Sequence, residues 1–78
     1  MEFNELYSLA TALKETAETM IKAGYTAAVE ATTHTAAEVL LAEAKALLPG
    51  NAVIAALTVR DAITWSEVLT IAKLILAS

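Results

Sequence analysis

Glu30, His34 and Glu38 make the best case for chemistry in this 78-residue chain. At spacings of i, i+4 and i+8 they share one helical face. Carboxylate oxygens and an imidazole suit a divalent metal, and two copies face to face would complete its coordination. The spacing is not the Glu-x-x-His pattern of di-iron bundles, and a solvated polar strip accounts for the same residues. The sequence therefore assigns no metal. It also holds no nucleophile–base set, with one histidine, no cysteine, and Ser/Thr residues placed as caps or on helix faces. Gly24 and Gly50 stand alone, so no loop cradles a phosphate. The expectation is a protein that is not an enzyme, with no cofactor and no small-molecule substrate.

Three basic residues, Lys45, Arg60 and Lys73, are the candidates for phosphate contact if an assembly encloses nucleic acid. Against this stands a net charge of −4, where nucleic-acid binding normally shows as a basic face. Pairing of Arg60 and Lys73 with Asp61 or Glu67 of neighbouring copies is the competing expectation. Trp65 is flanked by Asp61 and Glu67 rather than by the basic residues of a stacking platform. It reads as a helix–helix contact. Ten threonines, several on the wet side of the first helix, are candidate acceptors for O-linked sugars; unmodified helix-face polarity is the default.

The elements that carry these residues are all helical. In the first, over residues 3–23, Phe3, Leu6, Ala10, Leu13, Ala17 and Met20 recur at alternating spacings of three and four. Glu15, Glu18 and Lys22 lie on its opposite, solvated side. Gly24 suits a left-handed C′ position and Thr26 an N-cap, which would turn the chain; a kink within one continuous helix is the other reading. A second helix is expected over 26–48, although Thr35-Ala36-Ala37-Glu38 matches a capping box within it. Leu48-Pro49-Gly50-Asn51 is the strongest turn signal. Proline pushes Leu48 out of the helix, Gly50 permits reversal, and Asn51 caps the next helix.

A third helix is expected over 52–77, with a bend near Thr64, where Thr64-Trp65-Ser66-Glu67 matches another capping box. At about 100° per residue, its large apolar side chains point in every direction. Val53, Leu57, Ile71 and Ile75 take one face, Trp65, Leu69 and Leu76 another, and Val59, Ile63 and Leu74 a third. A helix apolar all round must be buried all round. A chain this short can hardly enclose one of its own helices, so neighbouring copies are expected to cover it. The expected assembly interface is Val53, Ile54, Leu57, Val59, Ile63, Trp65, Val68, Leu69, Ile71, Leu74, Ile75 and Leu76.

Composition sets the bounds. A domain of this length is marginal alone, yet 58% of its residues are apolar against an ordinary share of roughly 45–50%. The longest stretch without a charge, Ala46 to Val59, includes Pro49-Gly50 and falls short of the about 20 residues of a membrane span. No signal peptide is visible at the N-terminus, which carries Glu2 and Glu5.

The short Ala/Thr-rich chain, the amphipathic 3–23 helix, the Leu48–Asn51 reversal and the apolar Ala52–Ala77 segment together resemble the small α-helical coat proteins of filamentous or rod-shaped viruses, in particular helical-hairpin coats of archaeal viruses. The resemblance covers the whole chain in architecture and rests on no diagnostic motif. It implies many identical copies forming a helical shell around DNA, located in the virion, or in the cytoplasm if the chain is not viral. The sequence reading is thus all-α, a single domain: an antiparallel helical hairpin about Pro49-Gly50 with an N-terminal amphipathic helix kinked or turned at Gly24. A stand-alone or designed three-helix bundle or small homo-oligomer is the alternative. A pilin-like filament subunit or a membrane-active helical peptide ranks behind it.

Overall fold

The computed structural model describes residues 1–78, and the fold is all-α with four helices. They are α1 (Phe3–Lys22), α2 (Ala31–Leu47), α3 (Ala52–Ala56) and α4 (Trp65–Leu76). The pairs α1/α2 and α3/α4 form two helix–loop–helix units. Their loops meet at an antiparallel bridge between Ala28 and Thr64, where the Val29 N–H donates to the Ile63 carbonyl at 2.8 Å.

Gly24 ends α1 with a turn. Its φ is +88°, a left-handed conformation that costs residues with a Cβ about 1–2 kcal/mol. The Gly24 N–H donates to the Ile21 carbonyl at 3.0 Å and the Tyr25 N–H to the Met20 carbonyl at 3.1 Å. This is the Schellman pairing that satisfies the last carbonyls of a helix. The chain then runs extended to Glu30, so α2 starts at Ala31 and not at residue 26. Thr26 caps nothing, and the capping-box match at Thr35 lies inside the helix. The loop backbone is drawn out to meet residues 63–64 of the other unit, and that pairing holds it out of the helix.

The reversal after α2 is present. Leu48 leaves the helix at φ −125°, ψ 56°, the Asn51 N–H donates to the Leu48 carbonyl at 3.1 Å, and the Asn51 side chain accepts from the Ile54 N–H at 3.0 Å. Gly50 has no positive φ, so the turn does not depend on its being glycine.

The single helix expected over 52–77 is two. α3 ends at Ala56, residues 57–64 run as a strap, and α4 starts at Trp65. The expected capping box at Thr64 marks a full helix start and not a bend. Breaking the segment removes the difficulty of a helix apolar on every side. Once Thr58-Val59 leave the helix, the two halves turn independently, and each aims its apolar residues at the same centre. Ile54 comes from α3, Ile63 from the strap, and Trp65, Val68, Ile71, Ala72 and Ile75 from α4; all are buried.

That centre is closed on the other side by α1, which packs chiefly against α4 and also against α2. α1 buries Leu6, Ala10, Leu13 and Ala17, the middle of the expected seam, while Phe3 at its start is 49% exposed. α2 contributes Ala37, Leu40, Leu41 and Ala44. No polar or charged residue is buried, so the core makes no demand for internal hydrogen bonding. No helix is long and apolar enough to cross a membrane.

Candidate functional site

Of the polar residues that sequence singles out, His34, Glu38, Arg60 and Glu67 meet at the strap. His34 sits in the first turn of α2 with both ring nitrogens engaged. Nδ1 is 3.0 Å from Glu38 Oε1, one turn along the helix, and Nε2 is 2.5 Å from the Arg60 backbone carbonyl. The hydrogen bond to the Arg60 carbonyl, opposed by partial burial and assisted by Glu38 and Asp61, raises the His34 pKa above its usual 6.5.

Arg60 uses its other end on α4. Its Nε donates to Glu67 Oε2 at 3.2 Å and its Nη2 to Glu67 Oε1 at 2.5 Å, the two-point geometry that planar guanidinium and carboxylate favour. Glu67 Oε1 also accepts the Thr64 N–H at 3.3 Å, fastening the start of α4. The Arg60 hydrogen bond, helped by Thr64, lowers the Glu67 pKa. Arg60 therefore clamps the strap at both sides, through its carbonyl to α2 and its side chain to α4.

Glu30 is the residue before α2 and does not join His34 and Glu38 in a cluster. Nowhere do three His, Asp or Glu side chains gather as metal ligands. Both His34 nitrogens face protein oxygens. The expected phosphate contacts are also dispersed. Lys45 Nζ reaches the Ala55 carbonyl at 3.4 Å, Arg60 is committed to Glu67 of its own chain, and Lys73 stands exposed on α4 without an ion pair.

Of the twelve residues expected at an assembly interface, Ile54, Ile63, Trp65, Val68, Ile71 and Ile75 are buried within one chain, where another copy has no access to them. Leu57, Val59, Leu69, Leu74 and Leu76 are half-buried against that core, and Val53 is 54% exposed. Within one chain much of the segment's apolar surface is covered by α1 and α2, because the strap lets it fold onto them.

What remains uncovered lies elsewhere. A groove of about 300 Å³ runs between α2 and the strap, lined by Glu38, Leu41, Ala42, Lys45, Leu57, Thr58 and Val59. It continues onto the outward side of α2, where Thr35, Val39, Ala42 and Ala46 are exposed. Sequence reasoning passed over this face because its residues are small and its helix looked ordinary; the run of alanines and threonines around Val39 was the available signal. Comparison with protein-family models, curated proteins and solved structures finds no match, so function rests on this geometry.

Proposed function

We propose that this protein is a structural, non-enzymatic subunit that works by associating with copies of itself. The observation that carries the reading is the apolar surface one chain leaves open: Met1, Phe3, Ile21, Tyr25, Val39 and Val53 are each at least 37% exposed. Exposed apolar residues favour a partner when they are contiguous, and the outward face of α2 sets Val39, Ala42 and Ala46 beside the groove. A second copy suits that face. Glu38 and Lys45 lie two turns apart on either side of Ala42, so two α2 helices packed antiparallel would set each Glu38 beside the other's Lys45. That is the self-complementary arrangement of a two-fold contact. Ala42 and Ala46 let the backbones approach closely.

A two-fold contact closes a dimer. A helical shell, the form to which the coat-protein resemblance points, needs a second contact. The apolar residues left open at the ends of α1, Met1, Phe3, Ile21 and Tyr25, would provide it. Enclosed DNA fits this reading less well, because the basic residues are dispersed and largely engaged within the chain. Sedimentation velocity over a range of concentrations, with electron microscopy of concentrated material, tests the proposal. Wild-type protein should associate as concentration rises, while Ala42→Glu should lose the two-fold contact and give smaller species at every concentration, with unchanged helical circular dichroism. A wild-type chain still monomeric at millimolar concentration would overturn it.

A further inference from the structure

We propose that His34 is a proton-operated clasp: as an imidazolium it ties the 57–64 strap to α2, and on losing its proton it releases the strap. Donors and acceptors around the ring lead to this. A carboxylate and a backbone carbonyl can only accept hydrogen bonds, and here one lies at each ring nitrogen, Glu38 Oε1 at 3.0 Å and the Arg60 carbonyl at 2.5 Å. A neutral imidazole carries one N–H; the charged Glu38 carboxylate at Nδ1 is the stronger acceptor, so the proton stays there and Nε2 turns a lone pair toward the Arg60 carbonyl oxygen. Only the doubly protonated ring donates to both. Its positive charge is further favoured by the negative charge of Glu38 and, from the strap, Asp61.

The other charged groups around the ring leave it in control. On α2, Glu30 lies one turn before it. The Arg60 guanidinium is turned away onto Glu67 of α4, and α3 carries no charged residue. α1 places no charge that acts on the ring.

Beyond the partial packing of Leu57 and Val59 on the core, little holds the strap. Residues 58–62 neither donate nor accept a backbone–backbone hydrogen bond. Their polar anchors are the His34 contact to the Arg60 carbonyl and the Arg60–Glu67 pair, both at the surface. Ile63, 1% exposed, is the pivot at the far end. Release would therefore free residues 58–62, with Leu57 held at the end of α3 and Ile63 and α4 staying in place. Leu57, Thr58 and Val59 form one wall of the groove beside α2, so the same proton sets whether the Thr58-Val59 part of that wall is ordered.

The clasp strengthens the fold in its protonated form. Its contribution is complete below the unfolded-state histidine pKa near 6.5 and is lost as pH rises through the higher folded value.

Backbone order parameters from 13Cα relaxation, which need no exchangeable proton, test this at concentrations where the chain is monomeric. At about pH 5 residues 58–62 should have values near 0.85, as in rigid backbone; at about pH 8 they should fall toward 0.6 or below. The change should track the 15N titration of the His34 ring. His34→Gln should abolish the pH response, and Glu38→Gln should move it to lower pH. A strap equally ordered at both pH values overturns the proposal, as does a pH response that survives in His34→Gln. Should that variant fold poorly, a wild-type strap transition that does not follow the ring titration has the same force.

Discussion

Val53 and Ile54 are neighbours on α3, and they separate a core built within one chain from one shared between copies. Ile54 is 0% exposed and Val53 is 54% exposed. Replacing either with alanine removes a β-branched side chain and raises helix propensity by a similar small amount. The difference between the two variants therefore reads burial. Transfer of the isoleucine side chain from water is worth about 1.5–3 kcal/mol. With the cavity it would leave, Ile54→Ala should cost about 2–5 kcal/mol. Val53→Ala should stay within about 0.5 kcal/mol. At about 0.05–0.15 kcal/mol per residue, the 78 residues hold about 4–12 kcal/mol in all, so the first change takes a large part of the stability. Urea unfolding at low micromolar protein, followed by the fluorescence of the buried Trp65, measures both. Two variants that cost the same would refute the reasoning.

The two glycines should respond differently. At both positions an added Cβ meets nothing within 4 Å, so only backbone conformation differs. Gly24→Ala should cost about 1–2 kcal/mol for its left-handed φ, whereas Gly50→Ala should be neutral or stabilise by about 0.4–1 kcal/mol through the unfolded chain; thermal unfolding of both variants checks this. Glu67 should show the opposite pH dependence to His34. Because its folded pKa lies below the usual 4.5, its contribution is present above that value and is lost as pH falls through the folded one. Glu67→Gln should therefore destabilise at neutral pH and match wild type in strong acid, as read from urea midpoints along a pH series.

How much was legible depended on the range of the interaction involved. The α1 seam and the Pro49-Gly50 reversal are settled within a few residues of one another and could be read from neighbours in the chain, whereas from neighbours alone Gly24 admits a turn or a kink and the Thr64 capping box reads as a bend. The strap could not. Local pattern favoured helix through residues 57–63, and the break makes sense only once Ile54, Ile63 and Ile75 are seen to point at one centre. The His34 contact joins residues 26 apart and involves a backbone carbonyl, which has no residue type to give it away.

By itself the sequence determined an all-helical chain, its reversal at Pro49-Gly50 and the residues with too much apolar character to stay in water, because propensity, caps and periodicity act over short separations. Tertiary structure alone decided what would cover those residues. The last segment read as a helix that had to be sheathed by other molecules. Breaking it at residues 57–64 gave the chain two short pieces that α1 and α2 could cover, and a backbone that gives up a few helical hydrogen bonds to bury Ile54, Ile63 and Ile75 together gains more than it loses.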